Sequence, residues 1–228
     1  MIPSLVVDEV RDSLVEYLAS TFALADDDVR EALSEFLQHE ADGIFRGPYL
    51  RVRTPFEAVD GSWRSPLDWL PENFSPYLHQ ATAFERLGSR DSAPQPTIVT
   101  TGTGSGKTEC FLYPILDHCA RARARGEDGV KALILYPMNA LASDQAGRIA
   151  RTIASNGELA GVTAGLYIGE DGDNAEMGDE NIVDQRYALR ANPPDILLTN
   201  YKMLDFLLLR RQDRDLWAVN GPGTLRYV

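Results

Sequence analysis

The chain has 228 residues, of which 44% are hydrophobic and 9% aromatic, and its formal net charge is −12. This composition excludes disorder throughout, and the length predicts one medium domain with an appendage or two small domains. The acidic balance gives no support to a simple basic nucleic-acid clamp. No apolar run approaches the roughly 18 residues of a membrane span, and no signal peptide is visible, so we expect a cytoplasmic protein without a membrane partner.

Two segments within residues 5–40 have the apolar spacing of amphipathic helices. Asp26, Asp27 and Asp28 lie between them and supply carboxylates for the start of the second helix. Residues 43–76 are rich in glycine and proline, which predicts an irregular connector with one or two strands around residues 49–53. We therefore expect a helical appendage and connector over residues 1–62 and the main domain over residues 63–228.

The main domain is organised around a glycine-rich turn. The β-branched run at residues 97–101 predicts a buried strand, and a helix is predicted to begin at about residue 110. Strand, glycine-rich turn and helix N-terminus is the order that a phosphate-binding loop requires. Lys107 would reach the β- and γ-phosphates, and the Thr108 hydroxyl would help to hold Mg²⁺. The predicted nucleotide site comprises Thr101, Gly102, Thr103, Gly104, Ser105, Gly106, Lys107, Thr108 and Glu109.

One position departs from the general pattern G-x-x-x-x-G-K-[ST], because Thr101 stands where that pattern has glycine. The variant [AT]-x-x-G-x-G-K-T fits without exception and resembles motif I of superfamily 2 helicases. Gln80 lies 27 residues before Lys107 at the start of a predicted helix. Its amide could read an adenine edge by donating to one atom and accepting from another, or it could be an ordinary surface glutamine. The spacing resembles the glutamine motif of the same superfamily, with His79 orienting the amide.

Two further strand-to-helix turns carry candidate nucleic-acid contacts. Residues 131–137 predict a second strand, and the residues that follow resemble motif Ia, where relatives hold a nucleic-acid backbone: Pro137, Asn139, Ala140 and Gln145. A plain turn capped by Asn139 is the alternative. Residues 162–169 predict a third strand and residues 195–200 a fourth, whose last residues, Thr199 and Asn200, resemble motif Ib. Open α/β sheets bind ligands beyond the carboxyl ends of their strands, so these groups should share one edge.

The remaining segments predict little chemistry. Residues 170–180 hold six acidic and no basic residues, which predicts a solvated loop, and their spacing does not match a calcium-binding loop. Asp213 is predicted to lie in a polar turn. Residues 225–228 resemble the opening of a fifth strand, which in the helicase superfamily ends in the Asp-Glu box of motif II. No such box follows an apolar run in this sequence, so we expect the sequence to stop before it.

Taken together, residues 76–228 resemble the first RecA-like domain of a superfamily 2 DEAD/DEAH-box helicase, of the large bacterial type that serves DNA repair and antiphage defence. The resemblance implies an α/β fold with a RecA-like parallel sheet flanked by helices, preceded by a small helical region. It implies ATP and Mg²⁺ as cofactors, DNA as the nucleic acid, and Lys107 and Thr108 as catalytic residues. Implied partners are a second RecA-like domain, from the rest of the helicase chain, and repair or defence proteins.

Two other classes of function stay open at this point. A phosphotransferase with a phosphate-binding loop would account for Lys107 and Thr108, but not for Gln80 or the two later motifs. A nucleotide-regulated interaction domain could dock partners through residues 1–60, which hold 13 acidic and 5 basic residues. Without a motif II carboxylate and an arginine finger, we expect residues 1–228 alone to bind ATP weakly and to hydrolyse it negligibly.

Overall fold

The structure, a computed structural model, describes residues 3–22, 25–39, 41–44 and 54–228. The chain divides into two compact units, Met1–Pro55 and Phe56–Val228. None of the helices in the described ranges is long and apolar enough to cross a bilayer. The strands predicted near residues 49–53 lie outside the described residues.

The first unit contains the two predicted helices, α1 (Pro3–Thr21) and α2 (Asp27–Gln38). Asp26 is the N-cap of α2, and its side chain accepts hydrogen bonds from the Asp28 and Val29 amides, at 2.9 and 3.4 Å. The aspartates therefore begin the helix as predicted. Val15 and Leu37 are buried, but much of the predicted apolar face of each helix is exposed.

The second unit is built on a parallel sheet of three strands, β1 (Ala132–Leu135), β2 (Ala164–Tyr167) and β3 (Ile196–Thr199). Their order is β1–β3–β2, with Leu135 and Tyr167 both level with Thr199. Each strand is a nearly continuous apolar run, as expected when both faces of a parallel sheet are covered. The α/β fold with a parallel sheet flanked by helices is therefore confirmed.

Alternate strand residues face two separate cores, because successive side chains of a strand point to opposite faces. Ile134, Leu166 and Leu198 belong to the larger core. Residues of three helices, each near a predicted helix, belong to the same core: α3 (Leu78–Leu87), α4 (Lys107–Ala124) and α5 (Asn139–Ala154). Leu133, Tyr167 and Leu197 belong to the other core, together with residues of α6 (Arg186–Ala191), α7 (Tyr201–Leu209) and the 3₁₀ segment Arg211–Trp217. A shorter 3₁₀ turn, Gly157–Leu159, follows α5.

The end of the sequence pairs with β1, as predicted for an opening strand. Tyr227 forms a parallel bridge with Ala132, and its carbonyl accepts a hydrogen bond from the Leu133 amide at 2.9 Å. Its hydroxyl donates to the Leu87 carbonyl at 2.8 Å, which ties this segment to the end of α3.

The prediction of a buried strand at residues 97–101 is wrong. This segment pairs with no strand of the described chain, and the Ile98 side chain is 89% exposed. Strand formation needs a partner for the backbone donors and acceptors, and β-branched side chains alone do not supply one. The segment is held from the side instead, by Arg86, which donates to the Thr97 hydroxyl at 3.2 Å and to the Pro96 carbonyl at 3.1 Å.

Asp213, which was predicted to lie in a polar turn, is buried. Its side chain is fully buried in the 3₁₀ segment and accepts hydrogen bonds from the Tyr167 hydroxyl and from Arg190, each at 2.9 Å.

The acidic segment at residues 170–180 is held by hydrogen bonds to a residue that follows it in the chain. The Asp184 carboxylate accepts hydrogen bonds from the backbone amide and the side chain of Asn174, at 2.7 and 2.8 Å.

Candidate functional site

The turn between residue 101 and α4, here called the phosphate loop (residues 101–106), depends on glycine at two positions. Gly104 and Gly106 have φ angles of +78° and +75°, a region that other residues enter only with strain. A Cβ atom on Gly106 would also lie 2.3 Å from the Gln80 side-chain nitrogen. The Thr101 and Ser105 hydroxyls hydrogen-bond to each other across the base of the loop.

Lys107 is the first residue of α4 and folds back over the phosphate loop. Its ammonium donates to the Thr101 carbonyl at 3.1 Å and to the Gly102 carbonyl at 2.9 Å. The N–H groups of the first helical turn have no partners within the helix, and the helix dipole adds positive potential there. A cation and a helix N-terminus thus converge on one small turn, which is the arrangement that binds phosphate.

Thr108 follows Lys107 in the first turn of α4 and is partly exposed. Within the described residues its hydroxyl makes no hydrogen bond, and no group of three or more His, Cys, Asp or Glu side chains could hold a metal ion. Mg²⁺ bound with a nucleotide takes most of its ligands from phosphate oxygens and water. A single hydroxyl at this position fits such an ion.

The start of α3 packs against the phosphate loop through His79 and Gln80. The Gln80 amide nitrogen donates to the Gly106 carbonyl at 3.2 Å, and its oxygen accepts from the Tyr77 amide at 3.0 Å. His79 Nε2 donates to the Ser105 carbonyl at 2.8 Å. One N–H and one lone pair of the Gln80 amide remain for a ligand. The side chain is 7% exposed, so it acts first as a support for the loop.

A groove of about 590 Å³ lies beside these residues. It is lined by Glu57 and by parts of α3 and of residues 97–101. Phe56 lies beside His79, which lines the groove; its ring centroid is 5.8 Å from that of His79 and 5.4 Å from that of Tyr77. The sequence offered no signal for Phe56, because the residue is 23 positions before His79 in an irregular connector.

The two candidate nucleic-acid turns meet at the carboxyl end of the sheet. Asn200 is the N-cap of α7, with its side-chain oxygen accepting from the Met203 amide at 2.9 Å. Its side-chain nitrogen donates to the Asn139 side-chain oxygen at 2.7 Å, and Asn139 is the first residue of α5. Asn139 is not itself the cap, since Met138 holds that position and makes no side-chain cap bond. Asn139 and Asn200, which were predicted to lie at one edge of the sheet, are therefore together there, whereas the segment before the phosphate loop is not part of the sheet.

The other predicted contact residues differ in exposure. Pro137 and Ala140 are exposed beside Asn139. Gln145 is half-buried, donates to the Asp144 carboxylate at 3.2 Å, and has a buried side-chain oxygen without a partner among the described residues. Thr199 lies beneath the surface, fully buried, with its hydroxyl donating to the Tyr167 carbonyl at 2.6 Å.

Glu109 turns away from solvent and forms an ion pair with Arg148 on α5. The pair joins the first turn of the phosphate-loop helix to the helix that begins at Asn139. Arg148 was not predicted from the sequence, because the two residues are 39 positions apart and belong to different elements. Next to Glu109, burial and the Glu109 charge raise the pKa of the Cys110 thiol to about 11, so this thiol stays protonated at neutral pH.

The glycine loop, the helix that follows it and the parallel sheet are the elements of an α/β domain of the phosphate-loop class. The family model described as "DEAD/DEAH box helicase" matches residues 77–221. The chain therefore belongs to the DEAD/DEAH box helicase family, as the superfamily 2 motifs predicted.

Three relatives, two of them described as helicases, match parts of this chain. Druantia protein DruE of Escherichia coli is 31% identical over 189 residues, which is 72% of this chain and 10% of DruE. An uncharacterized ATP-dependent helicase, MJ1574 of Methanocaldococcus jannaschii, is 26% identical over 65% of this chain and 19% of its own length. DEAD-box ATP-dependent RNA helicase 32 of Oryza sativa is 35% identical over 36% of this chain and 10% of its own length.

A crystal structure described as DUF1998 helicase MrfA bound to DNA is similar over 71% of this chain and 22% of that one, with a TM-score of 0.47 and 22% identity. The chain thus spans about a tenth to a fifth of the length of these relatives.

Proposed function

We propose that this chain is the ATP-binding portion of an ATP-dependent helicase or translocase that acts on DNA. The observation that supports the proposal is one ion pair between two helices. The phosphate loop with Lys107 precedes α4, the Asn139–Asn200 pair lies at the starts of α5 and α7, and the Glu109–Arg148 ion pair joins α4 to α5. The proposed nucleotide site and the proposed nucleic-acid site thus belong to helices that contact each other.

At the nucleotide site, the loop amides and Lys107 bind the β- and γ-phosphates and stabilise the charge that develops on them during transfer. The Thr108 hydroxyl would hold Mg²⁺, and the ion would supply further neutralisation of the phosphate oxygens when bound. The free N–H and lone pair of Gln80 read the adenine edge. Thr101, Thr103, Ser105 and Glu109 complete the loop and the first helical turn.

At the nucleic-acid site, the starts of α5 and α7 present unpaired backbone N–H groups to phosphates. Asn139 and Asn200 orient the two turns, and Pro137 and Ala140 are exposed next to them. Gln145 lies two turns further along α5. Binding of this kind reads the backbone and not the base sequence, which suits an enzyme that moves along a strand.

Hydrolysis needs parts beyond the residues described above. A carboxylate that holds Mg²⁺ and poises water, and an arginine finger from a second RecA-like domain, complete the family's catalytic site, and an arginine finger alone is worth about 10³–10⁵ in rate. We therefore propose that the second RecA-like domain is an obligate partner and that residues 1–228 alone hydrolyse ATP negligibly. Robust turnover by these residues alone would contradict this.

Lys107→Ala tests the nucleotide site. We expect the affinity for a fluorescent ATP analogue to fall at least tenfold, because the only side-chain cation on the loop is removed. Arg214→Ala, which removes an exposed charge from the 3₁₀ segment, should leave the affinity unchanged. Equal affinities of the Lys107→Ala variant and the unaltered chain would refute the proposed nucleotide site.

Matched single-stranded DNA and RNA oligonucleotides test the second half of the proposal. We expect tighter binding of DNA, whereas the similarity to a rice RNA helicase makes RNA the alternative substrate. Binding of neither would favour a phosphotransferase or a nucleotide-regulated interaction domain. A cytoplasmic role in DNA repair or antiphage defence is the biological setting that we propose.

A further inference from the structure

We propose that Arg148 is a positioning residue that couples nucleic-acid binding at the start of α5 to nucleotide binding at the phosphate loop. The inference rests on the proposed function, since it joins the two sites assigned there. It adds a residue that neither set of motifs contains, and a physical route between the two sites.

The Glu109 carboxylate lies close to the phosphate loop. A Cβ atom built on Gly106 would be 3.0 Å from one Glu109 side-chain oxygen. The same oxygen is buried and has no hydrogen-bond partner among the described residues. The other oxygen accepts a hydrogen bond from the Arg148 guanidinium.

The Glu109–Arg148 pair acts on the phosphate loop through its charges. An unpaired carboxylate beside the loop would repel an incoming triphosphate, and partial burial reduces the screening of that repulsion by water. Glu109 and Arg148 are only 18% and 37% exposed, so the guanidinium neutralises the carboxylate in a partly desolvated setting. Two neighbouring phenols also show that this region is partly desolvated and that Arg148 acts on it. Burial raises the pKa values of Tyr113 and Tyr136, and the positive charge of Arg148 offsets part of each increase. The position of Arg148 therefore determines how strongly the Glu109 carboxylate repels a triphosphate at the phosphate loop.

Helix α5 carries Arg148 and begins at Asn139. The two residues are nine positions apart, or about 13 Å along a helix at 1.5 Å per residue. Between and beyond them, Ala142, Ala146 and Ile149 are buried against the sheet, so the helix is a single packed element. A nucleic acid that fixes the start of α5 also fixes the distance between Arg148 and Glu109. Such a shared rigid element is the physical requirement for coupling between two sites.

The test measures the affinity of the chain for a fluorescent ATP analogue with and without saturating single-stranded DNA. For the unaltered chain we expect DNA to tighten nucleotide binding about fivefold, at the lower end of typical couplings. In Arg148→Gln the factor should fall to about one. Arg151→Gln removes the same charge from an exposed position one turn further along α5 and should keep the fivefold factor.

Two more variants separate coupling from a merely structural role. Arg148→Lys keeps the charge without the planar guanidinium and should retain part of the coupling. The double variant Glu109→Gln/Arg148→Gln should show no smaller coupling than Arg148→Gln alone, because the two residues act as one pair. Melting temperatures measured in parallel identify a variant that simply fails to fold.

Three outcomes would overturn the inference: no coupling in the unaltered chain, unchanged coupling in Arg148→Gln, or an equal loss in Arg151→Gln. All three differ from failure of the proposed function, which would appear as the absence of nucleotide or DNA binding in the unaltered chain.

Discussion

Gly106 is the residue at which the separate parts of the nucleotide site meet. It is the N-cap of α4 in a left-handed conformation, and its carbonyl accepts hydrogen bonds from the Gln80 side chain and, at 3.5 Å, from the Cys110 thiol. A single position thus joins the phosphate loop, α3 and α4. Changing it should affect both the loop and the support that Gln80 gives.

Gly106→Ala should lower nucleotide affinity more than tenfold. The left-handed conformation costs an alanine about 1–2 kcal/mol, and the new methyl group would displace Gln80. Gly161→Ala is the matched control, because Gly161 has a φ angle of +86° and a Cβ atom built on it would have no neighbouring atom within 4 Å. The control should lose similar stability in urea denaturation and keep full nucleotide affinity. Full affinity in Gly106→Ala would show that the loop tolerates a side chain.

At the scale of single residues, the sequence predicted the features that depend on residues close together in the chain. The glycine spacing and the position of Lys107 follow from short-range backbone geometry, and the loop has that geometry. Arg148 could not be predicted, and neither could the buried role of Asp195, which accepts hydrogen bonds from Arg123, 72 positions away. Nothing in a single sequence indicates which distant charges become partners when helices pack on a sheet.

At the scale of elements, the start of α7 combines a helix cap with a candidate contact surface. Asn200 uses both ends of its amide, one for the Met203 amide and the other for Asn139. Helices were predicted well because their apolar spacing and caps are local signals. The strand at residues 97–101 was not, because β-branched residues predict a strand only when a neighbouring strand is present to pair with them.

Asn200→Ala should reduce stability by about 1 kcal/mol, the usual cost of losing an N-cap. It should also weaken binding of single-stranded DNA, since Asn139 loses the partner that orients it. Asp26→Ala removes the cap of α2 and serves as the control for cap loss alone. Fluorescence anisotropy with a labelled oligonucleotide measures the binding. Equal affinities of the two variants would exclude a role for Asn200 in DNA binding.

At the scale of the whole domain, buried charges join elements that are far apart in the chain. The fully buried Asp195 carboxylate accepts hydrogen bonds from Lys131 at 2.7 Å, from Arg123 at 2.8 Å and from the Thr163 amide at 2.8 Å. These bonds connect α4 with the starts of all three strands. Replacing a buried ion pair by apolar residues often changes stability little, but removing one partner leaves the other charge buried and unpaired.

Asp195→Ala should therefore cost about 3–5 kcal/mol of unfolding free energy, because Lys131 is left buried without its carboxylate. Asp205→Ala removes an exposed carboxylate from α7 and should change stability by less than about 0.5 kcal/mol. Urea denaturation of the three proteins measures the difference. A loss below about 1 kcal/mol in Asp195→Ala would show that water or a local rearrangement solvates Lys131.

His118 makes the stability of the domain depend on pH. Its Nδ1 atom lies 2.7 Å from the Ser89 hydroxyl, and its ring centroid lies 5.5 Å from that of Tyr227. Burial, together with the charges of Arg121, Arg125 and Arg226, lowers the pKa of His118 from 6.5 to about 4. The folded domain therefore holds a neutral imidazole between these two pH values, where the unfolded chain binds a proton.

Stability should consequently fall as the pH decreases from 6.5 towards 4, by about 3 kcal/mol in total for a difference of this size. The neighbouring Asp117 acts in the opposite direction, because burial raises its pKa and the folded state then binds the proton more tightly. His118→Gln, with a neutral side chain at every pH, isolates the histidine contribution. Urea denaturation at pH 7, 6 and 5 should give a clearly shallower loss in this variant. Parallel pH profiles would mean that His118 is protonated in the folded domain as readily as in the unfolded chain.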